Sequence, residues 1–566
     1  MSRAPSARTV AGLLRARAEA TPDRFGFYHK QQGEFVGWSW AEYWRRACAA
    51  ASGLTEAGVR PGDRVLLLVT DVEVAVPCLF GVWVLGAVPI QVGVPYRLTD
   101  VAAFLGELRR TAARVGARAL VVSSALLGFA QGDGGGEVND VSQIVQIAAE
   151  PLLDARLADL LPGSLPDPDG APGPALIQLT SGSTGHPRGV VIPHERLMLH
   201  LDAMSQRLPV RGEGAGGVSW LPLHHDMGLV GGLLFPLFND FPVHMLSPLE
   251  FRTRPFSWLA EMSSIRGAIS LGPPSAYSIC IGLARRAVEA GLDLSAWRCA
   301  MIGAEPISPA LLRRFADAFA PSGFRAEAFF PVYGLAEATV AVTFPDLLAA
   351  PRALTVDRVL LEREGRVEEA APGPLSLELV GVGRPIPRTE IRIVDAGRSP
   401  VPERTVGEIE VRSETLMEGY FDEPEATAEA LVDGWLRTGD LGFLDGGALF
   451  VTGRKKEVII KGGHTMIPAV IEDIAARVDG IRAGCVVAVG LFVEERQTES
   501  VYVVAETRAD ASEHAGLAER VREALRANGV TVDHVVLVPP GDLPKTTSGK
   551  LRRREVAERL RAGAAR

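Results

Sequence analysis

The sequence predicts an α/β protein: a large N-terminal domain of helices packed on mainly parallel sheets with a β-rich subdomain, followed by a small α+β C-terminal domain. Three observations carry this. Alanine-rich helical runs alternate with short apolar runs through the first part of the chain, the pattern of helices covering parallel strands. Residues 391–411 are dense in short β runs and turn residues. A break at Gly453-Arg454-Lys455-Lys456-Glu457 leaves a unit of roughly 110 residues, an ordinary size for a small domain. The expected division is 1–455 and 456–566.

The elements follow in order. Residues 40–58 read as a helix stopped by Gly58 and the turn Pro61-Gly62-Asp63, after which Arg64 to Val69 reads as a strand. Residues 109–116 lead in the same way into the strand 119–122. Residues 75–96 carry no charge and could pass for a membrane span. Pro77, Gly81, Gly86, Pro89, Gly93 and Pro95 punctuate the stretch, which suits a buried helix, a short strand and a turn better than a spanning helix of about 20 apolar residues. The glycine and proline clusters at 132–136 and 163–174 read as surface loops.

Composition bounds the function. A chain of 566 residues needs more than one core, and 47% hydrophobic with 22% charged residues is a globular mixture. A net charge of −9 gives nucleic acid no purchase, and the basic cluster 550–554 reads as a solvated tail. Five widely spaced cysteines, Cys48, Cys78, Cys280, Cys299 and Cys485, suggest reduced thiols in a cytoplasmic protein, with neither zinc pairs nor a disulfide framework. No secretory signal opens the chain.

The chemistry is concentrated in four segments. Leu179-Thr180-Ser181-Gly182-Ser183-Thr184-Gly185-His186-Pro187-Arg188-Gly189 follows an apolar strand. Its glycines and hydroxyls let backbone wrap around phosphate oxygens, although the spacing differs from that of the common nucleotide hydrolases. Tyr333-Gly334-Leu335-Ala336-Glu337 ends in a carboxylate suited to holding Mg2+ against phosphate. Asp440 in Arg437-Thr438-Gly439-Asp440 can accept from a ribose. Lys550 ends the loop Pro544-Lys545-Thr546-Thr547-Ser548-Gly549-Lys550.

In this order, and over nearly the whole chain, the segments resemble the adenylate-forming superfamily of acyl-CoA synthetases, fatty acyl-AMP ligases, nonribosomal adenylation domains and luciferases. The resemblance implies ATP and Mg2+ as co-substrate and cofactor, a carboxylic acid as substrate, and CoA or a phosphopantetheinyl acyl carrier protein as acceptor. It implies that Thr180, Ser181, Gly182, Ser183, Thr184, Gly185 and Arg188 hold the phosphates. Thr184 and Glu337 become the metal ligands, and Lys550, Glu337 and Thr184 the catalytic residues. Gly303, Ala304, Glu305 and Pro306 line the adenine with Tyr333 stacking near it, Gly334 belongs to the ATP site, and Asp440 with Arg454 holds the ribose. The C-terminal domain swings about a hinge at Lys456.

Leu221-Pro222-Leu223-His224-His225-Asp226-Met227-Gly228-Leu229 lacks the spacer of a condensation motif and any Cys or Glu cluster that would complete a metal site. It resembles the acyl-tunnel segment of fatty acyl-AMP ligases, with His225 at the carboxylate end. Residues 251–259 and 271–277 also follow that branch, which makes His225, Asp226, Gly228, Pro274, Tyr277, Leu335 and Ala336 the expected acyl-site residues. Three features depart from it. Pro274 and Ser275 stand where that branch has asparagine and an aromatic. Arg188 replaces lysine in the phosphate loop, a larger and planar cation. Lys461-Gly462-Gly463-His464 resembles CoA ligases, in which Gly462 and Gly463 would line a pantetheine path. Against this, residues 354–371 look like the extra segment of acyl-AMP ligases, with a small hairpin expected around Val359 to Val367. Intact Glu337, Asp440 and Lys550 argue against a non-catalytic nucleotide-binding relative, and the acyl-ligase motifs argue against luciferase-like oxygen chemistry.

Overall fold

The computed structural model describes residues 7–94, 101–130, 144–154, 156, 167, 169–170, 173–180, 187–212, 214–461, 464–494, 497–546 and 550–563. A four-stranded parallel sheet, in the order Val88–Gln91, Arg64–Leu68, Ala119–Val122 and Val145–Ala148, forms from the first alternating region. Its covering helix Trp40–Glu56 starts at Ser39, whose hydroxyl accepts from the Glu42 N–H at 3.3 Å. The uncharged stretch folds as the helix Val72–Val84 and then the strand Val88–Gln91. From Val74 onward both are buried at every apolar position, and no helix among the described residues is long and apolar enough to cross a membrane.

A second sheet has seven strands in the order Phe329–Pro331, Cys299–Ile302, Ile269–Gly272, Gly217–Ser219, Val243–Met245, Phe25–Gln31 and Glu34–Ser39. Every pairing in it is parallel except the last. The strands Pro174–Thr180 and Arg188–Pro193 pair antiparallel as a hairpin, and Gly419–Tyr420 joins as its third strand. The β-rich region is an antiparallel sheet built on Thr389–Val394, Gly407–Ser413, Trp435–Asp445 and Ala448–Arg454. Beyond it, Ile481–Val493, Thr498–Thr507 and His534–Val538 form a mixed sheet carrying the helices Pro468–Ala476, His514–Ala527 and Arg553–Arg561. One apolar cluster runs from Val10 to Leu449 and another from Ile459 to Val530.

The expected hairpin at 359–367 is instead the helix Arg358–Glu364. Asp357 caps it, its carboxylate accepting from the Val359 and Leu360 N–H groups at 2.8 and 3.0 Å, and Gly365 closes it at φ 65°. The apolar triplet Val359-Leu360-Leu361 suggested a strand, but the cap and the helix formers Glu362, Arg363 and Glu364 win. The β pairing lies just outside it, between Ala353–Asp357 and Ser376–Val380.

The same insert touches the C-terminal region. Arg358 Nη2 donates to the Asn528 carbonyl. Val356, Leu361 and Val367 share an apolar cluster with Phe443 and Phe450 of the β-rich sheet and with Ile467, and Ala469 and Val470 pack against it.

Candidate active site

Parallel strands deliver the site. The segments Trp220 to Asp226, Pro273 to Ser275, Gly303 to Glu305 and Val332 to Glu337 all leave the carboxyl ends of neighbouring strands of the seven-stranded sheet. That edge is where open α/β sheets bind ligands. The phosphate hairpin and the strands carrying Asp440 and Arg454 complete the surroundings.

Tyr333 and Asp440 come together from 107 residues apart, the phenol donating to Asp440 Oδ2 at 2.7 Å. Asp440 pairs in register with Arg454, whose Nε donates to Oδ1 at 3.0 Å. Burial raises the Asp440 carboxyl above its ordinary range, and the Arg454 guanidinium and Tyr333 hydroxyl counter it only in part. Arg454 is held further into its charged state by Asp440. The trio is an acceptor and a cation fixed on a rigid ladder, suited to hydroxyl recognition.

Gly334 must be glycine: an added Cβ would lie 1.7 Å from the Val340 carbonyl oxygen. Gly303 is similarly tight, 2.8 Å from Val332 Cγ2, and Ala304 is held at φ 67°, a left-handed conformation that alanine rarely adopts. Glu305 accepts from the Ser275 N–H and hydroxyl at 3.0 and 3.2 Å. The turn from Gly303 to Glu305 is thereby tied to the helix Pro274–Ile281.

On the acyl side, the Met227 N–H donates to Asp226 Oδ1 at 2.7 Å, and His225 Nδ1 stands 3.8 Å from the same oxygen. Burial pushes the Asp226 carboxyl up, but His225 and the Lys550 ammonium outweigh burial and leave it below its ordinary range. Lys550, in the C-terminal region, is near enough for its charge to be felt at this carboxylate. Its loop is closed by Thr546 N–H to the Lys550 carbonyl at 2.7 Å and Lys550 N–H to Thr546 Oγ1 at 3.1 Å. Burial next to His225 lowers His224 to about 3, so its imidazole is neutral. Gly228 packs against the Pro222 carbonyl, and Ala336 is buried. Tyr277 is spent on packing: it is fully buried, its hydroxyl donates to the Met301 carbonyl at 3.1 Å, and its ring meets Trp258 and Phe329 edge-on.

Glu337 accepts from the Tyr420 hydroxyl at 2.9 Å on Oε1, and burial raises its carboxyl despite that bond and the Arg454 charge. Neither Tyr420 nor Glu423, which stands 3.1 Å from Arg188, was expected from the sequence. Thr180 lies opposite Arg188 in the hairpin register. Ser181, Gly182, Ser183, Thr184 and Gly185 lie outside the described residues, as do Gly462 and Gly463 between the paired Lys461 and His464.

Residues 14–421 match the family model described as AMP-binding enzyme. A long-chain-fatty-acid–AMP ligase of Mycobacterium marinum is 32% identical over 597 residues, covering 98% of this chain and 97% of the relative. A medium-chain-fatty-acid–[acyl-carrier-protein] ligase of Teredinibacter turnerae is 37% identical over 405 residues, 68% of this chain and 63% of that protein. A solved structure from work on fatty acyl-adenylate ligases of E. coli and L. pneumophila superposes with a TM-score of 0.87, at 32% identity over 100% of both chains.

Proposed function

The chain belongs to the AMP-binding enzyme family and activates a carboxylic acid with ATP as an acyl-adenylate, and we propose that it then hands the acyl group to the phosphopantetheine thiol of an acyl carrier protein. In the first half, a carboxylate oxygen attacks the α-phosphorus in line and pyrophosphate leaves. Positioning and charge stabilisation do most of this work. The phosphate hairpin with Arg188 grips the triphosphate, Asp440 with Arg454 takes the ribose, and the segment around His225 and Asp226 takes the carboxylate end of the acid. Lys550 offsets charge at the reacting oxygens. In the second half, a thiolate attacks the carbonyl of the mixed anhydride and AMP leaves.

Glu337 and Thr184 are the proposed Mg2+ ligands. A buried carboxylate with its pKa raised has too little positive charge around it, which fits a cation. Among the described residues no group of three His, Cys, Asp or Glu could hold a metal, so the donors beyond these two would be the substrate phosphates, as is usual for Mg2+. The ion would supply charge neutralisation there. We place the protein in the cytoplasm on its unpaired thiols.

The observation behind the choice of acceptor is the insert helix Arg358–Glu364. Thioester formation calls for residues 456–566 to turn about Lys456, and the Arg358 to Asn528 bond with the shared apolar cluster opposes that turn. A small free thiol must wait for the turned pose to arise by itself. A carrier protein brings contacts of its own that offset the cost. The relative named as an acyl-carrier-protein ligase supports the same choice. The competing reading, a CoA ligase, draws on Gly462 and Gly463.

With preformed acyl-AMP, the unaltered protein is expected to load a phosphopantetheinylated carrier much faster than CoA. Arg358→Ala should raise the CoA rate several-fold while acyl-AMP formation stays constant. Rapid CoA thioester formation by the unaltered protein, indifferent to Arg358→Ala, would make it an ordinary CoA ligase.

A further inference from the structure

We propose that Tyr420 is a positioning residue for adenylation, fixing the magnesium carboxylate and the phosphate-loop cation with one side chain, and that Glu423 holds Arg188 back until phosphate arrives. This rests on the reading of Glu337 and Arg188 given above. Tyr420 belongs to the third strand of the phosphate hairpin: Gly419 and Tyr420 pair with Val191 and Val190, and the Phe421 N–H donates to the Gly189 carbonyl at 2.7 Å. Any displacement of the hairpin therefore moves Tyr420 with it.

From that strand the chain holds Glu337 at two points. The Met417 N–H donates to the Glu337 carbonyl at 2.8 Å, and the Tyr420 hydroxyl donates to the carboxylate at 2.9 Å. The Tyr420 backbone is pinned in turn, its N–H donating to Thr427 Oγ1 at 2.9 Å, and that hydroxyl donates to the Glu423 carbonyl at 2.8 Å. The same tyrosine carries Arg188, whose guanidinium carbon lies 5.1 Å from the ring centroid.

Arg188 Nε is also 3.1 Å from Glu423 Oε2, an ion pair without the alignment of a hydrogen bond, so among the described residues that N–H is without an acceptor. An imperfectly paired arginine at the start of the strand Arg188–Pro193 is ready to exchange a carboxylate for a phosphate, which its planar fork fits better. The exchange would leave the Tyr420 to Glu337 bond in place, with the carboxylate already aimed when MgATP enters.

Calorimetric titration with MgATP, and with ATP in EDTA, tests this on the full chain. Tyr420→Phe keeps the ring and loses the hydroxyl. It should weaken MgATP binding about tenfold, the scale of one hydrogen bond to a charged group, with binding in EDTA and acyl transfer from preformed acyl-AMP unchanged. A merely structural role would lower all three together. Glu423→Gln frees Arg188 and should tighten ATP about two- to fivefold, a gain that misfolding cannot produce. Tyr420→Phe that binds MgATP like the unaltered protein, or Glu423→Gln that binds no tighter, overturns the relay alone. An unaltered protein that binds no MgATP overturns the relay and the adenylation reading beneath it.

Discussion

Lys550→Ala is expected to lower acyl-adenylate formation by about two orders of magnitude or more, the effect of losing one charge-stabilising donor in a transition state. Thr546 and Lys550 are tied by two hydrogen bonds, and the Lys550 charge is felt at Asp226, 324 positions away in sequence. In-line displacement at phosphorus gathers negative charge where the carboxylate, the α-phosphate and the departing pyrophosphate meet, and a flexible cation at that point acts on the transition state more than on bound substrate. Transfer from supplied acyl-AMP to a thiol releases AMP without rebuilding that charge, so it should survive the substitution. The check is pyrophosphate release alongside thioester formation from preformed acyl-AMP. Equal pyrophosphate release in the variant and the unaltered protein would remove Lys550 from the chemistry.

Glu337→Gln should reduce ATP turnover by roughly one to two orders of magnitude, with partial recovery at raised Mg2+. The substitution keeps volume and an acceptor for the Tyr420 hydroxyl, so packing is preserved and the lost quantity is charge. Its effect should exceed that of Tyr420→Phe, which leaves the carboxylate in place and only loosens its aim. Pyrophosphate release titrated against Mg2+ checks both. A half-saturation point unmoved by Glu337→Gln would assign the carboxylate to structure, with the Tyr420 hydroxyl bond as its reason for being there.

Much of the architecture is legible in the sequence because parallel sheets need buried apolar strands and covering helices in alternation, and both leave periodic marks. Arg64–Leu68 and Ala119–Val122 are read directly from their apolar runs and from the turn residues before them. Motif chemistry carries the site as far as single segments go: Glu337, Asp440 and Lys550 are each conspicuous as a charged group on a glycine-rich turn. The helix Arg358–Glu364 was misread because three apolar residues outweighed Asp357 and Gly365, the caps that mark its two ends.

Tyr420 and Glu423 escaped for a different reason. Their roles arise from strand pairing between Gly419 and Val191, and nothing in Gly-Tyr-Phe-Asp-Glu announces a partner 228 residues earlier. Tyr277 shows the converse, since a residue expected at the acyl site is fully buried, its hydroxyl on the Met301 carbonyl and its ring against Trp258 and Phe329. The Glu305 to Ser275 bond is likewise invisible in either motif alone, yet it ties the Gly303 to Glu305 turn to the segment that the Pro274 and Ser275 departures alter.

The most direct test is to incubate the purified protein with ATP, Mg2+ and a panel of carboxylic acids, aliphatic acids of graded length and aryl acids among them, and to look for acyl-AMP by mass spectrometry. At least one acid should give its acyl-adenylate together with stoichiometric pyrophosphate, dependent on Mg2+ and lowered about a hundredfold or more by Lys550→Ala. A protein that binds MgATP yet forms no acyl-AMP from any acid in the panel would contradict acid activation as its function.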